Sequence, residues 1–312
     1  MRVLVTGGAG FIGSHVCDAF LANGDEVCVI DDLSSGRVGR LPKDVEFYKE
    51  SVLNGPRLSA LVAEIMPELI CHLAAQVDVR VSVAAPVQDA EINVLGTVNL
   101  LEAARAVGAR VLFSSTGGAI YGEDASVPSS ETDLPAPLSP YGVAKYSAEQ
   151  YVSLYNRLFG AEHAILRFAN VYGPRQGSSG EACVISAFCT NGIQGKPLTI
   201  YGDGKQTRDY VYVADCAAAF LAAKDYGRAG TWNIGTGTEV NVLELAELVS
   251  RLTGSGSPLS FAPTRIGELS RSALTWERAA QELGWHPTTS LTEGVQAVIR
   301  WFAAGAPDRS SR

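Results

Sequence analysis

Three glycines at fixed spacing limit the fold of this 312-residue chain more than any other feature. They stand at 7, 10 and 13 in Thr6-Gly7-Gly8-Ala9-Gly10-Phe11-Ile12-Gly13. The apolar run Val3-Leu4-Val5 precedes them, and an amphipathic stretch from Phe11 to Asn23, closed by Gly24, follows. A missing Cβ at each position permits a tight turn, close approach of backbone to a pyrophosphate, and close contact between helix and strand. The helix N-terminus then offers free N–H groups and the positive end of its dipole to an anion. The pattern alone also occurs in plain strand–helix turns. Here a second apolar strand, Glu26 to Ile30, follows and ends in Asp31. A carboxylate at that tip can accept both hydroxyls of an adenosine ribose and would repel a 2′-phosphate, which points to NAD rather than NADP.

The alternation continues. Strands are predicted at 45–48, 69–73, 110–113 and 164–168, and helices at 56–66, 89–106 and 141–158, with Pro56 suited to a first helical turn. Apolar strands alternating with longer amphipathic segments argue a parallel sheet covered on both faces. After about residue 170 the pattern becomes irregular. Gly, Pro and Ser gather at 173–180 and 253–263, and helices over 213–226, 242–252, 277–283 and 291–302 are separated by short strands. The expected architecture is α/β. A Rossmann-type doubly wound parallel sheet over 1–170, to which some later segments return, carries a smaller α/β substrate lobe over 171–304. The polar end, 305–312, is expected to fray.

Composition narrows the function. With 46% apolar and 19% charged residues the chain is an ordinary globular protein. Its net charge of −8 disfavours a coat for nucleic acid or anionic lipid. Cys17, Cys28, Cys71, Cys183, Cys189 and Cys216 show no CxxC spacing and no accompanying His cluster. They read as buried free thiols in a reducing cytoplasm, with no metal site. No uncharged apolar run reaches the roughly 18–20 residues of a membrane span, and glycines interrupt the apolar N-terminus too early for a signal peptide.

Tyr141-Gly-Val-Ala-Lys145 sets a phenol and an ammonium one turn apart on one helix face. A tyrosine with a pKa near 10 is only about one part in a thousand phenolate at neutral pH. A neighbouring Lys⁺ and a cationic nicotinamide both favour the phenolate, and Lys145 can also donate to the nicotinamide ribose. Such a pair is common on protein surfaces, but it gains meaning downstream of a dinucleotide fingerprint. Ser114-Ser115-Thr116 follows a strand directly, and a hydroxyl there could pass a substrate proton to Tyr141.

With these residues in place, the chain resembles the extended short-chain dehydrogenase/reductases of the NAD-dependent epimerase/dehydratase family. The closest likeness is to the UDP-glucose 4-epimerases and related UDP-sugar 4-epimerases. The resemblance rests on TGGAGFIG at 6–13, HLAA at 72–75, SST at 114–116, PYGVAK at 140–145, RFANVYGPRQ at 167–176 and the GDGxxxRDYVYVxD run at 202–215, and it covers nearly the whole chain. It implies that Gly7, Gly10, Phe11, Ile12 and Gly13 hold the NAD pyrophosphate and Asp31 the adenosine ribose. Leu73, Ala74, Ala75, Asn93 and Ser114 would line the cofactor. Tyr141, Lys145 and Thr116 would be catalytic. Asn170 would touch the UDP phosphates, Thr199 and Tyr201 would flank the uracil, and Arg208 and Arg265 would clamp the pyrophosphate through guanidinium forks. A homodimer joined by the helices over 89–106 and 141–158 is implied as well.

Three departures stand out. Ser51 occupies a position where the family has an Asp that meets adenine. Val77 replaces a lysine, and the stretch from Thr116 to Tyr121 is one residue longer, which leaves open a displacement of Thr116 by a turn. The residues after Thr116 are Gly117 and Gly118, where the related 4,6-dehydratases carry an Asp-Glu pair and UDP-glucuronate decarboxylases a Glu. Glycine cannot move a proton through a side chain, so 4-epimerisation is preferred over those reactions; 4-ketosugar reduction is a further alternative on the same fold, and a non-catalytic NAD-binding regulator is disfavoured because Tyr141, Lys145 and Thr116 are all present. Ser272 leaves room for a bulky or charged sugar substituent. Arg175 with Ser178 and Ser179 could hold a carboxylate. Both UDP-glucose/galactose and UDP-glucuronate/galacturonate therefore remain open.

Overall fold

The computed structural model describes residues 1–43, 45–177, 184–264 and 269–306. The chain begins β1 (Arg2–Thr6), α1 (Phe11–Ala22), β2 (Glu26–Asp31), β3 (Glu46–Lys49), α2 (Gly55–Ile65) and β4 (Leu69–His72). Helices α3 (Val79–Ala84) and α4 (Pro86–Ala90) lead through a π-helical turn at Glu91–Leu95 into α5 (Gly96–Val107). Then come β5 (Arg110–Thr116), α6 (Gly117–Ile120), α7 (Pro140–Phe159) and β6 (Ala164–Phe168). The remainder is β7 (Asn170–Tyr172), α8 (Val184–Ile193), β8 (Leu198–Tyr201), β9 (Thr207–Arg208), β10 (Tyr210–Tyr212), α9 (Val213–Tyr226), β11 (Gly230–Ile234), β12 (Val240–Asn241), α10 (Val242–Thr253), β13 (Leu259–Ala262), α11 (Glu277–Leu283) and α12 (Leu291–Ala303).

Seven parallel strands form the main sheet in the order β11-β6-β5-β4-β1-β2-β3. The order reverses at β1, which pairs with β2 on one side and β4 on the other. Open sheets of this kind bind ligands beyond the carboxyl ends of the strands at such a reversal. Strand periodicity of two divides each central strand between two cores. Val3 and Val5 pack with Val16, Phe20 and Phe220 on the α1/α9 side. Leu4 packs with Leu58, Leu61, Leu100 and Val152 on the α2/α5/α7 side. Burial on both faces is why these strands read as unbroken apolar runs.

A further core joins α8, α10 and α12 around Phe188, Ile200, Leu245, Val249, Val295 and Val298. Asn241–Glu244 and Ser290–Glu293 form reciprocal caps at the starts of α10 and α12. Chain 213–234 returns to the main sheet. There β11 pairs with β6, and α9 packs on the same face as α1.

The single helix expected over 89–106 is divided. Pro86 starts it earlier, at α4, and the π turn at 91–95 lets the Asn93 side chain reach the backbone of Gln76. Helices α3, α6 and α8 lie where no helix was expected, within segments too short or too mixed to show a period. Cys17, Cys28, Cys71, Cys189 and Cys216 are buried free thiols, whereas Cys183 lies outside the described residues. No helix among the described residues is long and apolar enough to cross a membrane. Those residues include no grouping of three or more His, Cys, Asp or Glu suited to a metal ion.

Candidate active site

The glycine loop is packed too tightly for side chains. Gly7 has φ +71°, and a Cβ there would lie 2.6 Å from Ala74 N. One at Gly13 would lie 2.2 Å from the Gly7 carbonyl oxygen. The loop therefore rests directly on the turn Leu73-Ala74-Ala75, where Leu73 N donates to Thr6 O (3.0 Å). Helix α1 begins at Phe11 with no side-chain cap and no acidic residue in its first turn, so the N–H groups of Phe11, Ile12 and Gly13 open the helix toward an anion. At the end of β2, Asp31 is buried. Its carboxylate accepts from Ala9 N (3.0 Å) and Leu33 N (2.8 Å). Burial raises its pKa above the usual carboxylate range, and the two peptide N–H groups oppose that rise. They also fix the carboxylate's orientation and leave lone pairs for ribose hydroxyls. Ser51 donates its N–H to Glu50 (2.9 Å), and its hydroxyl accepts from Leu53 N (3.3 Å). This arrangement fits a dinucleotide.

The residues expected to transfer protons lie at the carboxyl end of β5 and the start of α7. Ser139 caps α7, Pro140 occupies its first turn, and Tyr141 and Lys145 follow on one face. Lys145 is only 3% exposed. Its Nζ donates to Ser114 O (2.9 Å) and lies 4.8 Å from the centre of the Phe113 ring. Burial pulls its pKa down to about 8, against the opposing charges of Asp89 and Glu149. Along β5 the alternation separates the three hydroxyls. Ser114 and Thr116 are half-buried, whereas Ser115 is buried and donates to Glu149. Thr116 ends β5 in register with Phe168, and the short helix α6 follows it directly. The two glycines after it differ in surroundings. A Cβ at Gly117 would strike Leu274 at 2.4 Å, whereas one at Gly118 would stand 3.5 Å from Asn170 Oδ1 and 3.9 Å from Thr116 Oγ1.

Several neighbours escaped the sequence reading. Glu149 pairs with Arg167 (2.6 Å) in the core; Arg167 also donates to the Tyr121 hydroxyl (2.8 Å), which donates to Asn233 Oδ1 (2.8 Å). His72 sits between Thr6 Oγ1 (2.7 Å) and Thr97 Oγ1 (3.1 Å), its pKa pushed to about 3 by burial and then by Lys145. The one available signal was a glutamate four residues after Lys145 on a helix face otherwise lined by Ala144, Ala148 and Val152.

Asn93, at the π turn, is buried. Its amide accepts from Gln76 N (3.1 Å) and donates to Gln76 O (2.9 Å) and Asp89 Oδ1 (3.0 Å), so it fastens the loop after β4.

Asn170 opens β7 and its N–H donates to Asp209 O (2.9 Å). Arg208 lies in β9, where its Nη1 donates to Thr207 O (2.7 Å). The buried Asp209 carboxylate binds the backbone of Thr236, Gly237 and Leu274, and Ser272 O accepts from Asp209 N (2.9 Å). Asn170, Arg208 and Ser272 are thus tied to one buried anchor. Thr199 and Tyr201 lie in β8; Thr199 Oγ1 accepts from Ser260 (3.1 Å), and Tyr201 O accepts from Gln206 (2.9 Å). Ser178, Ser179 and Arg265 lie outside the described residues.

Arg175 is a correction. At φ +69° it turns toward α1, where it pairs with Asp18 (2.7 Å) and donates to Ser14 Oγ (3.2 Å). Its guanidinium is engaged by the helix behind the glycine loop, so it is not presented as a partner for a sugar carboxylate.

A doubly wound sheet with a dinucleotide cradle at its reversal point and a Tyr-x-x-x-Lys pair beside it defines an oxidoreductase-type nucleotide-binding protein. The chain belongs to the NAD dependent epimerase/dehydratase family, whose model matches residues 3–235. It is 43% identical over 310 residues to the UDP-glucose 4-epimerase of Mycolicibacterium smegmatis, spanning 97% of this chain and 98% of that one. The structure of Thermotoga maritima UDP-glucose 4-epimerase with UDP-glucose superposes with a TM-score of 0.96 at 43% identity, covering 98% of this chain and 100% of that one. The Thermus thermophilus UDP-glucose 4-epimerase complex with NAD gives 0.93 at 41%, covering 97% and 99%.

Proposed function

We propose that the protein is an NAD-dependent 4-epimerase of a UDP-hexose. The observations that carry this reading are the Tyr141–Lys145 pair on α7, with Lys145 bonded to Ser114 O of β5, and Gly118, a position that faces Asn170 and Thr116 without a side chain. NAD, which Gly7, Gly10, Phe11, Ile12, Gly13 and Asp31 would hold, would supply a reversible hydride acceptor for C4 of the sugar. Tyr141 takes the proton of the C4 hydroxyl and gives it back. The Lys145 ammonium stabilises the phenolate that does so, and Thr116 bonds the C4 oxygen and relays its proton. No carboxylate stands at 117 or 118 to drive elimination or to steer decarboxylation. The 4-keto sugar can then present its other face before the proton and hydride return.

The UDP end is assigned to Asn170, which borders the lobe formed within 171–304, and to Thr199, Tyr201, Arg208 and Arg265 within it, with Ser272 assigned to the sugar. The sugar is assigned as a neutral hexose, UDP-glucose or UDP-galactose, because Asp18 and Ser14 engage the guanidinium that would otherwise meet a carboxylate. Exposed apolar residues on α4, the π turn and α7 (Val87, Leu95, Val143, Tyr151, Leu158 and Phe159) support a homodimer through these helices. The buried thiols suit a cytoplasmic enzyme. A panel of UDP-sugars tests the assignment. Interconversion of UDP-glucose and UDP-galactose without net NADH is expected, and faster turnover of UDP-glucuronate would overturn the sugar assignment.

A further inference from the structure

Across the contact between α4 and α7, the helix of Lys145, lies a buried carboxylate that the proposed chemistry does not use. Asp89 closes α4 and is 0% exposed. Its Oδ1 accepts from Gln76 Nε2 (2.7 Å) and from Asn93 Nδ2 (3.0 Å). Its Oδ2 is buried and meets no hydrogen-bond donor among the described residues. The hydrogen bonding thus engages one oxygen only. An asparagine could accept the same two bonds through its carbonyl, without the several kcal/mol that burying an ionised carboxylate costs. Local hydrogen bonding therefore does not account for the charge at this position.

The helix that α4 packs against carries a buried cation, Lys145. The α4 segment packs on α7, and the charges of Asp89 and Lys145 act on one another across that contact. The other groups around the lysine are already matched or are neutral. Glu149 of α7 is bound by Arg167 of β6. His72 of β4 is held neutral between two threonine hydroxyls. Asp78 and Arg80, at the start of α3, pair with each other (2.6 Å). Glu91, on the π turn, is exposed. Tyr141, on the same face of α7, gains from a charged lysine.

We propose that Asp89 is a positioning residue whose carboxylate serves as the buried counter-charge of Lys145, keeping that lysine protonated and thereby lowering the proton affinity of Tyr141. The inference rests on the roles given above to Tyr141 and Lys145. It extends them by a residue that touches neither substrate nor cofactor and acts through the lysine. Burial alone draws the Lys145 pKa toward neutrality, and the Asp89 charge opposes this. Without that charge the lysine would lose its proton earlier as pH rises, and the tyrosine would ionise later.

Asp89→Asn tests this, since it removes the charge while keeping an acceptor for Gln76 and Asn93. Three readouts are compared with the wild type: the pH profile of kcat for UDP-glucose, the KM for UDP-glucose with the Kd for NAD, and the tyrosinate absorbance titration of Tyr141. The last is isolated by subtracting the spectrum of the matching protein carrying Tyr141→Phe. The expected result is an alkaline limb of kcat about one pH unit lower and a Tyr141 midpoint shifted upward, a size typical of losing one nearby opposite charge. KM and Kd should stay within about twofold. Superimposable profiles would overturn the proposal, and so would a uniform loss of kcat with both midpoints unmoved, which is what a purely structural role produces. Should the variant not fold, side-chain 13C NMR of aspartate-labelled wild-type protein decides the matter. Asp89 ionised at pH 7 supports the proposal, and Asp89 protonated there overturns it. Tyr141→Phe with unchanged turnover would instead remove the underlying reading of the tyrosine. An inactive Tyr141→Phe with an unshifted Asp89→Asn retires the role of Asp89 alone.

Discussion

Replacing Arg167 with methionine is expected to be among the most damaging single changes in the core, and adding Glu149→Leu is expected to reverse most of the damage. Arg167 and Glu149 have side chains 8% and 1% exposed. Both nitrogens on the forward edge of the guanidinium bind the carboxylate, Nε to Oε1 at 3.0 Å and Nη2 to Oε2 at 2.6 Å. The pairing drives the Arg167 pKa far above its usual value, against the effect of burial. With methionine at 167, the Glu149 carboxylate keeps the Ser115 hydroxyl but loses its matching cation. Breaking one side of such a pair costs about 3–5 kcal/mol, whereas exchanging both partners for apolar residues is often neutral or stabilising. At about 2 °C per kcal/mol for a chain of this size, the single variant should melt about 6–10 °C lower. The double variant forfeits the Ser115 bond, about 1 kcal/mol, and should lie within about 2–3 °C of the wild type. Urea unfolding of the wild type, both single variants and the double variant closes the cycle and isolates the coupling between the pair. An Arg167→Met protein as stable as the wild type, or a double variant as unstable as the single, would refute the reasoning.

Three further outcomes are expected. Asp31→Ala should narrow the preference for NAD over NADP, measured by calorimetry, because the carboxylate that would face a 2′-phosphate is gone; equal affinities in the wild type would contradict the role assigned to Asp31. Gly13→Ala should abolish NAD binding or destabilise the fold by more than the roughly 1–3 kcal/mol typical of overpacking, since the 2.2 Å clash is with a backbone oxygen that has no rotamer to adopt; wild-type NAD affinity and Tm would exclude this packing. Turnover should fall as pH rises through about 8, where Lys145 loses its proton. Stability should move the other way, because a lysine whose pKa is lowered on folding destabilises the protein below that value, and the penalty is relieved between about 8 and the usual lysine range. Flat activity from pH 7 to 10 would contradict it.

The sheet was legible because Val3, Leu4 and Val5 are buried on both faces, which leaves a continuous apolar signature. The glycine loop, Asp31 and the Tyr141–Lys145 pair were legible because each depends on spacing within one strand–turn–helix or one helical turn. What stayed hidden depends on partners far away in the chain. The π turn at 91–95 exists so that Asn93 can bind Gln76, and no local period encodes that. Arg175 is only five residues from Asn170, yet a left-handed backbone turns it to Asp18 on α1, so nearness in sequence misled. Strands β9 and β12 have two residues each and exist only as partners of one another. The separation of Ser115 from Ser114 and Thr116 is the exception. It follows from the period of a strand and could have been read directly.

In the proposed reaction a hydride leaves C4 and returns to C4 of the same sugar. This is tested most directly with UDP-glucose deuterated at C4, incubated with the enzyme in ordinary water and the product examined by NMR and mass spectrometry. The expected product is UDP-galactose that keeps the deuterium at C4, with no build-up of NADH, and no product under the same conditions from Tyr141→Phe. Loss of the label to solvent, or a wild-type rate from Tyr141→Phe, would contradict it.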